Sequence, residues 1–285
     1  MSATVLFRSI ANPTDRTILV IAVLLIFTAG LWNNVIGSYG KFGPLGWLTD
    51  NSGLDIGEIL AFAALLKILA SMGDRSILRR SDLVALMVLL VGTVLPYSTI
   101  TWISATAIGV AFVFWRRDEP LLSSIGQILI ACAVHAAWGP KFFMVAAPYF
   151  VNVEATFAAS LLTTFSTGYS AQFNQIAAQN GHTIEIFAGC SAFHNLSLAA
   201  LIWISVIKLQ RMYFTRLDFF ALAGTFAVVI LINEIRIMLM ARSYAYYVFW
   251  HDGAGVTIMS AAMLVSISAL LLMTSLLTVP SFQRG

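Results

Sequence analysis

Charge is what this sequence has least of. Asp, Glu, Lys and Arg make up 10% of the 285 residues, against roughly 25% in an ordinary soluble domain. Hydrophobic residues make up 59%, and the mean hydropathy is +0.87. So little polar surface cannot cover a soluble fold of this length, which excludes a soluble globular enzyme. Disorder is excluded too, because disordered chains combine low hydrophobicity with high charge. A transmembrane β-barrel would alternate apolar and polar residues, whereas the apolar residues here come in long unbroken runs. Two cysteines, Cys132 and Cys190, are too few for a disulfide scaffold. The net charge of +3 is small, and no basic stripe interleaved with aromatics suggests nucleic-acid binding. What remains is an all-α polytopic membrane protein.

A span needs about 20 mostly apolar residues. The first runs from Thr17 to about Trp32. Arg8 and Arg16 precede it as in a signal peptide, but no small-residue cleavage site follows, so it reads as a retained span. The second is about Leu54–Met72, with Glu58 and Lys67 near its ends. Asp82–Trp115 is too long for one span, and Pro96-Tyr97-Ser98 splits it into two. Then follow about Leu121–Trp138, Ser191–Leu209, Leu217–Met240 and Val256–Thr278, giving eight transmembrane helices.

Short cytoplasmic loops collect Lys and Arg. With the N-terminus inside, the inner side holds Arg8, Arg16, Arg75, Arg79, Arg80, Arg116, Arg117, Lys208, Arg211, Arg216 and Arg284, with Lys67 toward it. Only Lys41, Lys141, Arg236 and Arg242 of the 16 Lys+Arg then fall outside. Both termini are expected to be cytoplasmic. Glu154–Gln179 reads as an amphipathic or re-entrant helix on the outer face, and His182–Ala188 alternates like a short strand. The expected organisation is therefore spans one to five over 17–138, a small outer cap over 139–189 and spans six to eight over 190–279. The Gly-rich stretch Gly37–Gly46 lacks the Lys-Ser/Thr ending of a P-loop and reads as an outer loop.

Ionisable groups at membrane depth are expensive and ask for a reason. Cys190 stands just before a span, where a helix N-terminus favours thiolate; a free Cys is also a common small buried hydrophobe. Asn233 and Arg236 are three apart and share a helix face. Arg236 alone reads equally as a side chain snorkelling to headgroups, whereas an amide inside a span needs a partner. His251, in Trp250-His251-Asp252-Gly253-Ala254-Gly255, stands at the outer mouth of the last span among Tyr244, Tyr246, Tyr247 and Trp250, which also suits an interfacial aromatic belt. The orientation rests on Lys/Arg placement alone, yet puts Cys190, Arg236 and His251 at the outer ends of three consecutive spans. A nucleophile, a fixed cation and an imidazole at one depth make an acyl-transfer set. His194, four residues after Cys190, is a rival base. Asp252 could orient His251, but adjacent side chains often point apart. Cys132 and His135 are too few for zinc and read as core, so neither metal nor cofactor is expected.

Ala188-Gly189-Cys190-Ser191, Asn233-Glu234-Ile235-Arg236-Ile237 and Trp250-His251-Asp252-Gly253 resemble, in this order, the Cys-Ser-Gly, Asn-x-x-Arg and His-Gly segments of the exosortases and archaeosortases. The resemblance covers about the C-terminal half, from Glu154 onward. It departs at Ala192, where the family usually has Gly, at Phe193-His194-Asn195, and at Trp250 in place of Phe, as in a divergent subtype. It implies a polytopic cysteine transpeptidase of the cytoplasmic membrane. Such an enzyme cleaves, on the outer face, the C-terminal sorting tail of secreted proteins: a short motif such as Pro-Glu-Pro, a hydrophobic helix and a basic cluster. The product passes to a cell-surface acceptor or to water. The resemblance makes Cys190 the nucleophile, Arg236 the oxyanion donor and His251 the acid/base, supported by Asn233, Ser191 and His194. Glu58, Lys67 and His135 instead motivate a non-enzymatic transporter or an assembly factor for surface polysaccharide.

Overall fold

The computed structural model describes residues 15–49, 55–72, 78–95, 97–187 and 190–278. Arg8, Arg75, Arg284, Leu54, Pro96 and the Ala188-Gly189 pair lie outside the described residues. The chain is mostly helical: α1 (Asp15–Thr49), α2 (Ile56–Ser71), α3 (Arg80–Val94), α4 (Ser98–Trp115), α5 (Pro120–Ala133), a π-helical turn (Val134–Trp138), α6 (Gly139–Phe165), α7 (Phe193–Gln210), α8 (Arg216–Met240), α9 (Tyr244–His251) and α10 (Ala254–Thr278). Between α6 and α7 stand three short strands, β1 (Tyr169–Gln172), β2 (Gln175–Ala178) and β3 (Thr183–Glu185). They form one antiparallel sheet in the order β1-β2-β3.

Among the described residues, five helical stretches are long and apolar enough to cross a membrane: Asp15–Trp32, Ser98–Trp115, Pro120–Phe165, Arg216–Met240 and Ala254–Leu277. Helices also occupy the other expected spans, but α2 has 16 residues and α3 has 15. At 1.5 Å per residue such helices reach roughly 22–24 Å, against a hydrocarbon core of about 30 Å. Large apolar side chains such as Val84, Met87, Val91, Phe114, Leu231, Val265 and Leu272 face outward. Helices apolar on both the buried and the outward face are those of a protein solvated by lipid.

Two expectations change. The Gly37–Gly46 stretch is helical, the continuation of α1, and not a turn-rich loop. Helix runs on across the expected boundary at residue 139, from Pro120 to Phe165. The ring of Pro140 would clash with the carbonyl four residues back. The wider π turn over Val134–Trp138 sits where that conflict falls and lets the helix continue. The segment Glu154–Gln179, read as one outer-face helix, divides: its first part is the second half of the 27-residue α6, and Tyr169–Gln172 and Gln175–Ala178 are strands. The strand expected within His182–Ala188 is present as β3.

The chain divides into two compact units, 1–137 with 204–214, and 138–203 with 215–285. In the first, α4 packs along α5 through facing glycines. A Cβ on Gly109 would lie 2.8 Å from the Gly126 carbonyl oxygen, and one on Gly126 would lie 2.6 Å from the Gly109 oxygen. Small residues permit the close backbone approach on which packing in lipid depends. In the second unit, Phe143, Val151, Ala155, Ala158 and Leu162 of α6 meet Ile176 and Ile184 of the sheet and Ile237 and Met240 of α8. Cys190 belongs to this core.

Candidate active site

All three residues of the expected set belong to the second unit. Cys190 follows β3 and stands three residues before the first residue of α7. It is 6% exposed. Its backbone is held from three directions. Its N–H donates to the Phe187 carbonyl at 2.8 Å. Its carbonyl accepts from Asn233 Nδ2 at 3.0 Å. The next two residues are fastened to α6, where Glu154 Oε1 accepts from Ser191 Oγ at 2.9 Å and from the Ala192 N–H at 3.0 Å. The Leu196 N–H donates to the Ala192 carbonyl, which starts α7. Cys190 thus occupies a fixed corner ahead of a helix N-terminus. Among the described residues its thiol makes no hydrogen bond.

Asn233 is fully buried on α8, which answers what partner its amide takes. Its amide holds the backbone of the Cys190 segment. One turn on, half-buried Arg236 donates from Nε to the Trp250 carbonyl at 3.0 Å. That bond ties α8 to the end of α9 and leaves the two terminal nitrogens of the guanidinium as further donors. The close turn into α10 needs glycine, since a Cβ on Gly255 would stand 2.5 Å from the Trp250 ring and 2.7 Å from the Phe249 carbonyl.

His251 ends α9 with its side chain 30% exposed. Its Nδ1 and Asp252 Oδ1 are 2.7 Å apart, so the adjacent residues do meet. With Nδ1–H donating to the carboxylate, Nε2 keeps the free lone pair. The imidazole stacks on Tyr247 at 4.7 Å between ring centres and 13° between planes. On the far side of Tyr247 stands the edge of His182, at 6.5 Å. Burial, then the charges of Asp252 and Cys190, hold the Tyr247 phenol above the ordinary tyrosine range. Tyr247 therefore touches His251 and packs against the core that holds Cys190.

The structure joins Asn233 to Cys190, Arg236 to Trp250, and His251 to Asp252 and Tyr247. Ser191 turns away from these groups to Glu154. His194 lies in the first turn of α7, with its side chain outside the described residues. Glu154 and Tyr247 were not among the sequence candidates. An acid running into the apolar Ala155–Phe165 was the available signal for Glu154; for Tyr247 it was a ring four residues before His251, on the same helix face. Among the described residues, three buried acceptors of the second unit have no hydrogen-bond partner: Glu154 Oε2, Asn233 Oδ1 and Glu234 Oε2.

In the first unit, His135 Nε2 lies 2.9 Å from Asp55 Oδ2, so its partner is an acid and not Cys132. Glu58 Oε2 accepts from the Asp55 N–H at 3.1 Å, and the Lys67 ammonium donates to the Leu209 carbonyl. No group of three or more His, Cys, Asp or Glu suited to a metal ion occurs among the described residues. The chain matches no family model, no curated protein and no solved structure.

Proposed function

We propose that the protein is a membrane-embedded cysteine protease or transpeptidase of the exosortase and archaeosortase kind. It cleaves the C-terminal sorting tail of secreted proteins on the outer face of the cytoplasmic membrane. In this reading α2, α3 and α7 cross the bilayer with the five longer stretches, both termini are cytoplasmic, and the strands belong to an outer cap. The observation that carries the proposal is the linkage within one unit. Asn233 holds the carbonyl of Cys190, Arg236 one turn further holds the carbonyl next to His251, and Tyr247 stacks on His251 and packs against the core that contains Cys190.

The Cys190 thiolate attacks the scissile carbonyl carbon, and the carbonyl π electrons pass to oxygen. The terminal nitrogens of Arg236 donate to that oxyanion, the role in which fixed donors contribute most. As the C–N bond breaks, protonated His251 delivers its Nε2 proton to the leaving amine, and the acyl group stays on sulfur as a thioester. Neutral His251 then takes a proton from the incoming amine or water, which attacks the thioester and releases the thiolate. Asp252 holds the tautomer this cycle needs. A substrate anchored by its own membrane helix docks in an effectively intramolecular step.

The test is expression of Cys190→Ala beside a tailed secreted substrate. Uncleaved substrate accumulates; tail removal at the wild-type rate sinks the thiol mechanism. His194→Ala and His251→Ala in the same assay identify the working base, because the variant that still processes marks the bystander. The second reading, transport, is favoured by one feature, buried His135 and Glu58 grouped with Asp55. It requires solute flux that survives Cys190→Ala.

A further inference from the structure

The first unit contains a cavity of about 300 Å³ between α1 and α2, away from every residue given a chemical role above. Its walls include Phe27 and Trp32 of α1 and Phe62 of α2, with Leu31 and Ile59 beside them. The Phe27 and Phe62 rings stand 5.5 Å apart between centres. The charged residue in the wall is Glu58, which is 4% exposed. One of its oxygens accepts from the Asp55 N–H. No Lys or Arg bonds it among the described residues. Lys67, on the same helix, donates to the Leu209 carbonyl, and His135, which is close enough to act on Glu58, lies against Asp55 as well.

We propose that this cavity binds the head group of an ammonium-bearing lipid. The argument runs from charge, ring chemistry and the mouth of the pocket. Two carboxylates, Glu58 and Asp55, share one imidazole, His135, and that excess of acid favours a cation in the cavity and repels an anion. Aromatic faces stabilise an ammonium through their quadrupoles, most strongly once water is excluded. A metal ion is the poorer fit, because a single carboxylate among rings gives it too few oxygen ligands. The mouth decides the rest of the ligand. Trp32 and Ile59 are 57% and 53% exposed, and outward-facing Ile21, Leu24, Leu25 and Leu66 continue the same two helices. A ligand whose body stays along these apolar surfaces while its head enters the pocket is a lipid. A hydrophilic cation would lose its hydration and gain no apolar contact in return.

The test uses the full-length protein purified in a neutral detergent. It is mixed with phosphatidylethanolamine or phosphatidylglycerol at equal mole fraction, and native mass spectrometry counts bound lipid. The expected result is one retained phosphatidylethanolamine, preferred over phosphatidylglycerol by about tenfold or more. In Glu58→Gln the preference falls to near unity. Wild-type protein that holds both lipids equally, or Glu58→Gln protein that keeps the preference, overturns the proposal. Should Glu58→Gln fail to fold, Trp32→Ala decides: it leaves the charge in place and removes the most exposed ring. Its expected effect is a loss of about threefold to tenfold in phosphatidylethanolamine retention. Unchanged retention in Trp32→Ala would equally overturn the proposal.

Discussion

Among the described residues both units bury polar atoms without a partner, but of different kinds: the first leaves neutral groups of Thr101, Gln127 and Ser205 so, the second leaves carboxylate oxygens of Glu154 and Glu234. In the first, Arg116 meets Asp82, His135 meets Asp55, Lys208 donates to the Met212 carbonyl and lies over the Phe214 ring, and Glu58 accepts from a backbone amide. In the second, Asp218 is likewise satisfied by Thr215, but Glu154, Asn233 and Glu234 each keep one acceptor oxygen without a partner among the described residues. Burying such an atom costs about 1–3 kcal/mol. The first unit spends its few charges on holding helices together. The second leaves two buried carboxylates, Glu154 and Glu234, each with an oxygen unmatched among the described residues, and a buried acid without a full set of donors is the costlier group to leave so.

The largest effect is expected from breaking a pair in the first unit. Arg116→Leu leaves Asp82 without its partner and should destabilise by about 3–5 kcal/mol, read as a lowered thermal midpoint in detergent. Next comes Arg236→Ala, with tail processing slowed about 10²–10³-fold and the folded fraction retained. Arg236→Lys should rescue little, because a single ammonium cannot both hold the Trp250 carbonyl and present two further donors. Tyr247→Ala removes a stack worth about 0.5–1.5 kcal/mol, so processing should fall roughly threefold to tenfold. Tyr247→Phe, which keeps the ring, should leave processing near wild type. The smallest effect sharpens the contrast: Glu234→Leu deletes an unsatisfied acceptor and should change stability by less than about 1 kcal/mol, or raise it. If Glu234→Leu destabilises as much as Arg116→Leu does, the two units do not differ in the way described.

What was legible in the sequence followed from the cost of exposing backbone and charge to lipid. The apolar runs ending near Trp32, Met72, Trp115, Leu209, Met240 and Thr278 are helices, and the break before Ser98 separates α3 from α4. Pro-Tyr-Ser ends a helix for local reasons, and local reasons are readable. Gly37–Gly46 misled because glycine content signals a turn only when the flanking chain does not carry the helix onward. The continuation past Trp138 was not legible because a widened turn absorbs the Pro140 clash, and no residue pattern announces such a turn. Cys190, Asn233 and Arg236 stood out as candidates, but not their partners. An amide at membrane depth demands a hydrogen bond without saying that its acceptor is the carbonyl 43 residues back. Glu154, 37 residues from Ser191, was hidden for the same reason.

The small sheet ends on α8 in a telling way. His182 Nε2 lies 3.1 Å from the Met240 carbonyl, and Asn180 Nδ2 donates to the Arg242 carbonyl at 3.1 Å. These are carbonyls at the C-terminal end of a helix, where the last turn has no partners of its own. Each strand offers few buried side chains, too little to persist alone in water. The sheet and the last turn of α8 therefore open together or not at all. Amide hydrogens of Ile176 and Ile184 should exchange at the same rate as those of Ile237 and Met240, one cooperative unit joined through a histidine and an asparagine.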